Sequence, residues 1–189
     1  MARTRSASAH QKVIEAAAEL FSQRGIEGAS MDAIAEASTV SKATIYKHWA
    51  DKDALLLEVM EELSGLKARP AFNSGDIRAD MIAVLGYHPT EHADLRARIM
   101  PQFMAYSAKN PAFGDLWRMR VQDPPRRELT RLLKAAVKSG QLESIHLEHA
   151  LAQLLGPMIY WYVFLRRTSE NPQALAEAVV DMFWRAFSR

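Results

Sequence analysis

A stretch near the amino terminus, residues 30–52 (SMDAIAEASTVSKATIYKHWADK), carries side chains that could bind a nucleic acid. If its second half is helical, one arc of that helix comprises Lys42, Ala43, Tyr46 and Lys47. Lys42 can reach a base edge or a phosphate, and Ala43 lets the helix come close enough to touch a thymine methyl group. Tyr46 offers its hydroxyl to a phosphate. The arc indicates a DNA-facing surface, although a short polar face is also typical of plain solvent exposure.

Polar residues around this arc could hold the sugar-phosphate backbone. Thr44 has a hydroxyl that can donate to a phosphate. Lys52 begins the next predicted helix, where its ammonium group joins backbone N–H groups that face the phosphates. Ser30 could do the same at the start of the first helix of the stretch.

The elements that must position these side chains are short helices at about Ser30–Ser38 and Ser41–Trp49. The Thr39–Val40 turn separates them, which is typical of a helix-turn-helix. Val40 and Ile45 are expected to pack back onto the preceding helices. The polar arc would then point away from the protein.

Further helices are predicted along the whole chain. One has Ser8 as its N-cap and Gln11 at N3, and it ends at Gly25. Another begins after Asp51, a good N-cap. The later helices are predicted at Asp76–Tyr87, Glu91–Ala108, Ala112–Val121, Pro125–Ser139, His146–Arg167 and Pro172–Phe187. Since no segment alternates convincingly with period two, the sequence predicts an all-α fold.

The composition limits the classes of function. The chain has 189 residues and a net charge of +2, so a broadly basic surface is excluded and any nucleic-acid contact must be local. It has no cysteine, which excludes disulfides and cysteine nucleophiles. The longest apolar run, Leu154–Leu165, is shorter than the about 20 residues that span a bilayer. No signal peptide is visible, so we expect a cytoplasmic protein without a membrane partner.

A helical enzyme or a dimeric scaffold is the alternative function. Candidate metal ligands are the pairs His146/His149 and His88/His92. Pro89 interrupts the second pair, and no third ligand lies in register with either. The sequence also lacks a glycine-rich phosphate loop and a nucleophile elbow. We therefore predict neither catalysis nor a cofactor.

The last two predicted helices carry wide apolar faces. Their apolar positions are Leu147, Leu151, Leu154, Leu155, Met158, Ile159 and Tyr162, then Leu175, Ala178, Val179, Met182, Phe183, Ala186 and Phe187. These faces exceed what one small domain can cover, so we expect a partner subunit.

Residues within 11–57 resemble the amino-terminal domain of the TetR/AcrR repressor family. The matching positions are Val13-Ile14, Ala17-Ala18, Leu20-Phe21, Gly25, Ser30, Ile34-Ala35, Val40-Ser41, Thr44–Trp49, Lys52 and Leu55. The tyrosine-x-histidine-aromatic cluster at Tyr46–Trp49, followed by Lys52, is specific. The resemblance implies an all-α homodimer in which residues 1–55 form a helix-turn-helix domain, with a linking helix from 51. Residues 56–189 would form a ligand-binding and dimerisation domain.

The resemblance also implies the DNA-facing residues and the partners. The residues are Ser30, Lys42, Ala43, Thr44, Tyr46, Lys47, His48 and Lys52. The partners are double-stranded operator DNA, a second copy of the chain and a small-molecule effector. Ser38-Thr39 stands where family members commonly have alanine-glycine. Because a positive φ suits glycine and disfavours a β-branched threonine, the turn geometry stays open.

The implied function is a repressor that a small, hydrophobic effector releases from its operator. Ligand-independent or co-repressor regulation is the alternative. The candidate ligand-lining residues are Phe103, Met104, Trp117 and Tyr160. Methionine and aromatic side chains form adaptable apolar walls, but at helical spacing they more often belong to a plain core.

Overall fold

The computed structural model describes residues 2–87, 89, 91–165 and 171–189, and its elements are helices. The helices are α1 (Ala2–Gly28), α2 (Met31–Ser38), α3 (Lys42–His48), α4 (Lys52–Leu63), α5 (Ile77–Gly86), α6 (Ala93–Lys109), α7 (Pro111–Trp117), α8 (Asp123–Lys138), α9 (Leu147–Ile159) and α10 (Pro172–Phe187). A short 3-10 helix covers Leu66–Ala68, and π-helical segments at Arg118–Gln122 and Tyr160–Phe164 follow α7 and α9. Among the described residues there is no β-strand, so the predicted all-α fold is confirmed.

The amino terminus differs from the prediction. Helix α1 begins at Ala2, so Ser8 lies inside the helix and the predicted capping box with Gln11 is wrong. Alanine and arginine, which recur between residues 2 and 9, are strong helix formers and carry the helix past Ser8. At the other end, the backbone leaves the helical conformation at Gly25 (φ 78°, ψ 164°), where the sequence predicts a stop.

Most other boundaries agree with the sequence to within about 2–4 residues. Asp51 caps α4 as predicted, because its carboxylate accepts a hydrogen bond from the Ala54 backbone N–H at 2.8 Å. Two predicted helices give way to π-helical turns before their expected ends at Val121 and Arg167. Arg167 lies outside the described residues, as does His88 of the second histidine pair.

The chain forms two compact units, each with its own apolar core. The first unit comprises Met1–Lys67 and Thr90–Val121, and the second comprises Ala68–Pro89 and Gln122–Arg189. The first core joins α1–α4 to α6 and α7, and the second joins α5 to α8–α10. The predicted domain boundary at residue 55 lies inside α4, within the first packed unit. It stays a proposed division between two functions, not a division between two packed units. Over the described ranges, no helix has the length and apolarity needed to cross a bilayer.

Candidate nucleic-acid interface

Helices α2 and α3 form a helix-turn-helix closed by a left-handed turn residue. The Ser30 hydroxyl caps α2 by accepting a hydrogen bond from the Ala33 N–H at 3.1 Å. After α2, Thr39 adopts φ 56° and ψ 26°, and its N–H donates to the carbonyl groups of Ala35 and Glu36. The Val40 N–H also donates to Ala35, at 3.2 Å. These bonds satisfy the last carbonyls of α2 and turn the chain into α3.

Helix α3 is held by buried side chains on one face. Ile45 is 1% exposed and Trp49, its C-cap, is 2% exposed. Ser41 caps the other end, since its hydroxyl accepts from the Thr44 N–H at 3.3 Å. The opposite face lies in solvent, with Ala43, Tyr46, Lys47 and His48 all exposed. Helix α3 therefore has a buried face that anchors it and an exposed polar face, as the sequence predicts.

Replacing Thr39 by glycine should stabilise the protein. A left-handed backbone costs a β-branched residue about 1–2 kcal/mol, and glycine avoids this at a smaller entropic cost. We expect Thr39→Gly to raise the free energy of unfolding by about 1 kcal/mol in urea denaturation. Thr39→Ala is the control, because it keeps the Cβ and loses the hydroxyl, which donates to the Ser38 carbonyl at 2.7 Å. A glycine variant less stable than wild type would contradict this explanation.

Two of the predicted DNA-facing lysines already have partners in the protein. The Lys42 ammonium lies 2.6 Å from the Asp32 carboxylate, with 55% and 68% of the two side chains exposed. An ion pair this exposed is worth little, so Lys42 can exchange Asp32 for a phosphate at small cost. The Lys52 ammonium donates to the Ile26 carbonyl at 2.8 Å and so ties the start of α4 to the end of α1. The sequence alone could not predict these two contacts, because each partner lies far from its lysine along the chain.

A polar network supports α3 on its buried side. It was not predicted from the sequence. The Trp49 indole N–H donates to the Glu58 carboxylate of α4 at 2.7 Å. The same carboxylate lies 3.3 Å from the His10 imidazole and 3.1 Å from the Lys67 ammonium. The His10 ring packs on Trp49 with centroids 4.7 Å apart, and on His48 at 5.7 Å. The one available signal was that the indole N–H of a buried tryptophan needs an acceptor.

This network lowers the pKa of the Glu58 carboxyl group. Burial acts to raise the pKa of the carboxyl, but the hydrogen bonds from Trp49 and Lys67 and the nearby charges of His10 and Lys67 outweigh it. The pKa of Glu58 therefore lies below its ordinary value of 4.5. A lowered carboxyl pKa contributes stability that is complete above pH 4.5 and is lost as the pH falls below it.

Glu58→Gln should therefore make the free energy of unfolding less dependent on pH in the acid range. At neutral pH we expect the free energy of unfolding to fall by about 1 kcal/mol, since an amide accepts the indole hydrogen bond but cannot pair with His10 and Lys67. The difference from wild type should shrink as the pH falls below 4.5. Urea unfolding between neutral pH and about pH 3 measures it. Glu62→Gln, an exposed position on the same helix, is the control. A constant difference across this range would refute the assignment.

Helix α6 fixes α4 through polar contacts at both ends. The Tyr106 hydroxyl donates to the Asp53 carboxylate at 2.8 Å, in the first turn of α4. Burial, this hydrogen bond and the Asp53 charge raise the pKa of Tyr106 to about 12. At the far end, the Arg96 guanidinium donates to the Leu63 carbonyl at 2.8 Å. Helix α4, which carries the acceptor for Trp49, is thus held by α6.

The candidate ligand-lining residues divide between the two units. Phe103 is fully buried and Trp117 is 7% exposed, with ring centroids 5.0 Å apart in the core of the first unit. Met104 is partly buried against the same core. Tyr160 belongs to the second unit and its side chain is 57% exposed. Helical spacing alone could not tell these environments apart.

Two family models together cover most of the chain. Bacterial regulatory proteins of the tetR family match residues 13–59, and the tetracyclin repressor-like C-terminal domain matches residues 72–183. The chain belongs to the TetR family. This TetR-family protein is a DNA-binding transcriptional regulator and not an enzyme. The family resemblance predicted from the helix-turn-helix residues is confirmed.

Relatives of this TetR-family protein are regulators as well. It is 27% identical to the uncharacterized HTH-type transcriptional regulator YdeS of Bacillus subtilis, covering 96% of this chain and 91% of the relative. It is 29% identical to the HTH-type nicotine-responsive transcriptional repressor HdnoR of Paenarthrobacter nicotinovorans, over 68% and 69% of the two chains. A TetR transcription regulator from Haloarcula marismortui shares the fold, with a TM-score of 0.72 and 15% identity over 97% of this chain and 100% of that one.

Proposed function

We propose that the chain is a homodimeric repressor that binds a near-palindromic operator through α3 and is released by a small, hydrophobic effector. The observation that carries the DNA-binding part is the two-faced recognition helix, buried at Ile45 and Trp49 and exposed at Tyr46 and Lys47. The proposed contacts are Ser30, Lys42, Ala43, Thr44, Tyr46, Lys47, His48 and Lys52. The protein would act in the cytoplasm, where its operator lies.

Homodimerisation is supported by exposed apolar stripes in the second unit. On α10, the exposed residues Ala178, Met182 and Ala186 follow one another at intervals of four. On α9, the exposed Gly156 and Ile159 lie at helical spacing, and a Cβ added at Gly156 would meet no atom within 4 Å. Small residues between larger apolar ones let helices of two subunits pack closely.

The π-helical end of α9 extends this surface. Tyr160 and Phe164 are 57% and 67% exposed, and their ring centroids lie 6.2 Å apart. We assign both rings to the dimer face, because a second copy would remove them from water. A dimer would place two recognition helices about 34 Å apart, which matches successive major grooves.

Effector binding is proposed in the first unit, around Phe103, Met104 and Trp117. The Trp117 indole N–H is buried and has no hydrogen-bond partner among the described residues. Buried donors are rarely left unsatisfied, so an acceptor group on an apolar effector would complete this site. The nicotine-responsive relative supports regulation by a small molecule. Co-repressor regulation stays the alternative, since both mechanisms need only unequal affinity for two states.

Contacts on the same helices offer a route from this site to the DNA. Helix α6 carries Phe103 and also Tyr106, which holds Asp53 of α4. The turn after α7 carries Arg120, whose guanidinium binds the Glu61 carboxylate of α4 at 2.6 Å. An effector that favours a different arrangement of α6 and α7 would shift α4 and change the spacing of the recognition helices.

Gel shifts on duplexes from the promoter region next to the gene test this function. We expect sequence-preferring binding that weakens with salt and is altered by apolar small molecules with a hydrogen-bond acceptor. Wild-type protein that shows no sequence preference, with or without such compounds, would sink the proposal.

A further inference from the structure

A small cleft lies on the first unit beside the helix-turn-helix, outside the residues assigned above to DNA. Its volume is about 260 Å³, and it is lined by Ser8, Ala9, Lys12, Thr39 and Val40. The first three residues belong to α1 and the last two form the turn between α2 and α3. The cleft therefore lies between the amino-terminal part of α1 and the turn that precedes α3.

The lining suits a singly or doubly charged oxyanion. Lys12 supplies an ammonium group and Ser8 a hydroxyl, while none of the five lining residues is acidic. The Thr39 hydroxyl already donates to the Ser38 carbonyl at 2.7 Å, which leaves Ser8 as the hydroxyl donor of the cleft. Ala9 and Val40 add only small apolar surfaces. A small group is therefore enough to fill the cleft.

Lys12, like Lys47 of α3, forms no ion pair within the described part of the first unit, whereas the other lysines of that unit have partners. Lys42, Lys67 and Lys109 each pair with a carboxylate, of Asp32, Glu58 and Glu27 respectively, and Lys52 binds a backbone carbonyl. Lys12 is exposed and forms no ion pair with any residue that the structure describes. The nearest acidic residue along α1 on the same side, Glu15, accepts instead from the Gln11 amide at 3.2 Å. The Lys12 charge is therefore not neutralised within the described part of the protein.

The position of the cleft decides what its occupant is. Thr39 and Val40 directly precede Ser41 and Lys42, which begin the recognition helix. If the amino-terminal end of α3 meets DNA as proposed, the turn lies within two or three residues of that contact. We propose that the cleft binds a phosphate group of the operator backbone, with Lys12 and Ser8 as the contacts, so that the DNA interface extends onto α1. This inference rests on the proposed operator binding.

Salt titration of DNA affinity tests the contact directly. Each phosphate contact contributes about 0.9 to the slope of log K against log salt concentration. Lys12→Gln should lower that slope by about 0.9 for each cleft occupied. Lys12→Arg should restore it. The matched control is Arg24→Gln, which removes the same charge from an exposed position on α1 about 18 Å further along the helix. Fluorescence anisotropy with labelled duplexes tiled across the adjacent promoter measures the slope, and circular dichroism verifies the fold of each variant.

The outcomes separate this contact from the proposed function. A lower slope for Lys12→Gln alone, recovered by arginine, supports the phosphate contact. Wild-type binding with an unchanged slope in Lys12→Gln, or an equal loss in Arg24→Gln, overturns the contact and leaves the proposed function intact. A wild-type chain that binds no duplex overturns both.

Discussion

Replacing Tyr46 and Lys47 together with alanine is expected to abolish operator binding while the protein stays folded. Both side chains are exposed on α3, Tyr46 to 50%, and the packing of α3 depends on Ile45 and Trp49 instead. A lost contact to DNA costs about 1–3 kcal/mol, and the proposed homodimer would lose each contact twice. The two substitutions together should therefore cost at least about 4 kcal/mol, so the affinity should fall by about 1,000-fold or more, measured by gel shift at constant salt.

The control for this prediction is Gln23→Ala combined with Arg24→Ala. That pair also removes one polar and one cationic side chain from exposed positions of the first unit, but on α1. We expect it to bind like wild type. Unfolding curves and sedimentation should show both double variants as stable as the parent. Specific binding by the Tyr46/Lys47 variant would show that another surface reads the operator.

What the sequence could predict was local. Caps and apolar spacing lie within one or two turns of each other, so Ser41, Ile45 and Trp49 define α3 without any tertiary information. The left-handed conformation of Thr39 was not predictable from its type, because it depends on hydrogen bonds to the Ala35 and Glu36 carbonyls that outweigh the steric cost.

What the sequence could not predict depends on distant partners. The Lys52 ammonium binds a carbonyl 26 positions earlier, and the Tyr106 hydroxyl reaches a carboxylate 53 positions earlier. Phe103 and Tyr160 have similar aromatic character and helical spacing, yet one is buried in the first unit and the other exposed in the second. Periodicity identifies the apolar face of a helix but not the surface that covers it.

Met182→Glu is expected to convert the proposed homodimer into monomers. Met182 is 60% exposed in the middle of α10, while its neighbour Phe183 is buried in the core of the second unit. If α10 packs against a second copy, a two-fold interface buries the new carboxylate in both subunits. An unpaired buried charge costs several kcal/mol, which is enough to raise the dimer dissociation constant by about 100-fold or more. Within its own subunit the glutamate is tolerated, since position 182 is exposed and glutamate is a good helix former.

Met119→Glu provides the matched control. Met119 is 54% exposed, in the π-helical turn after α7 in the first unit, so the same chemical change falls outside the proposed dimer face. Sedimentation velocity across a concentration series should show monomers for Met182→Glu and dimers for Met119→Glu and the wild type. Operator affinity should fall when dimerisation is lost, because a monomer presents a single α3 to a two-site operator. A Met182→Glu protein that still dimerises like wild type would place the interface on another face of the second unit.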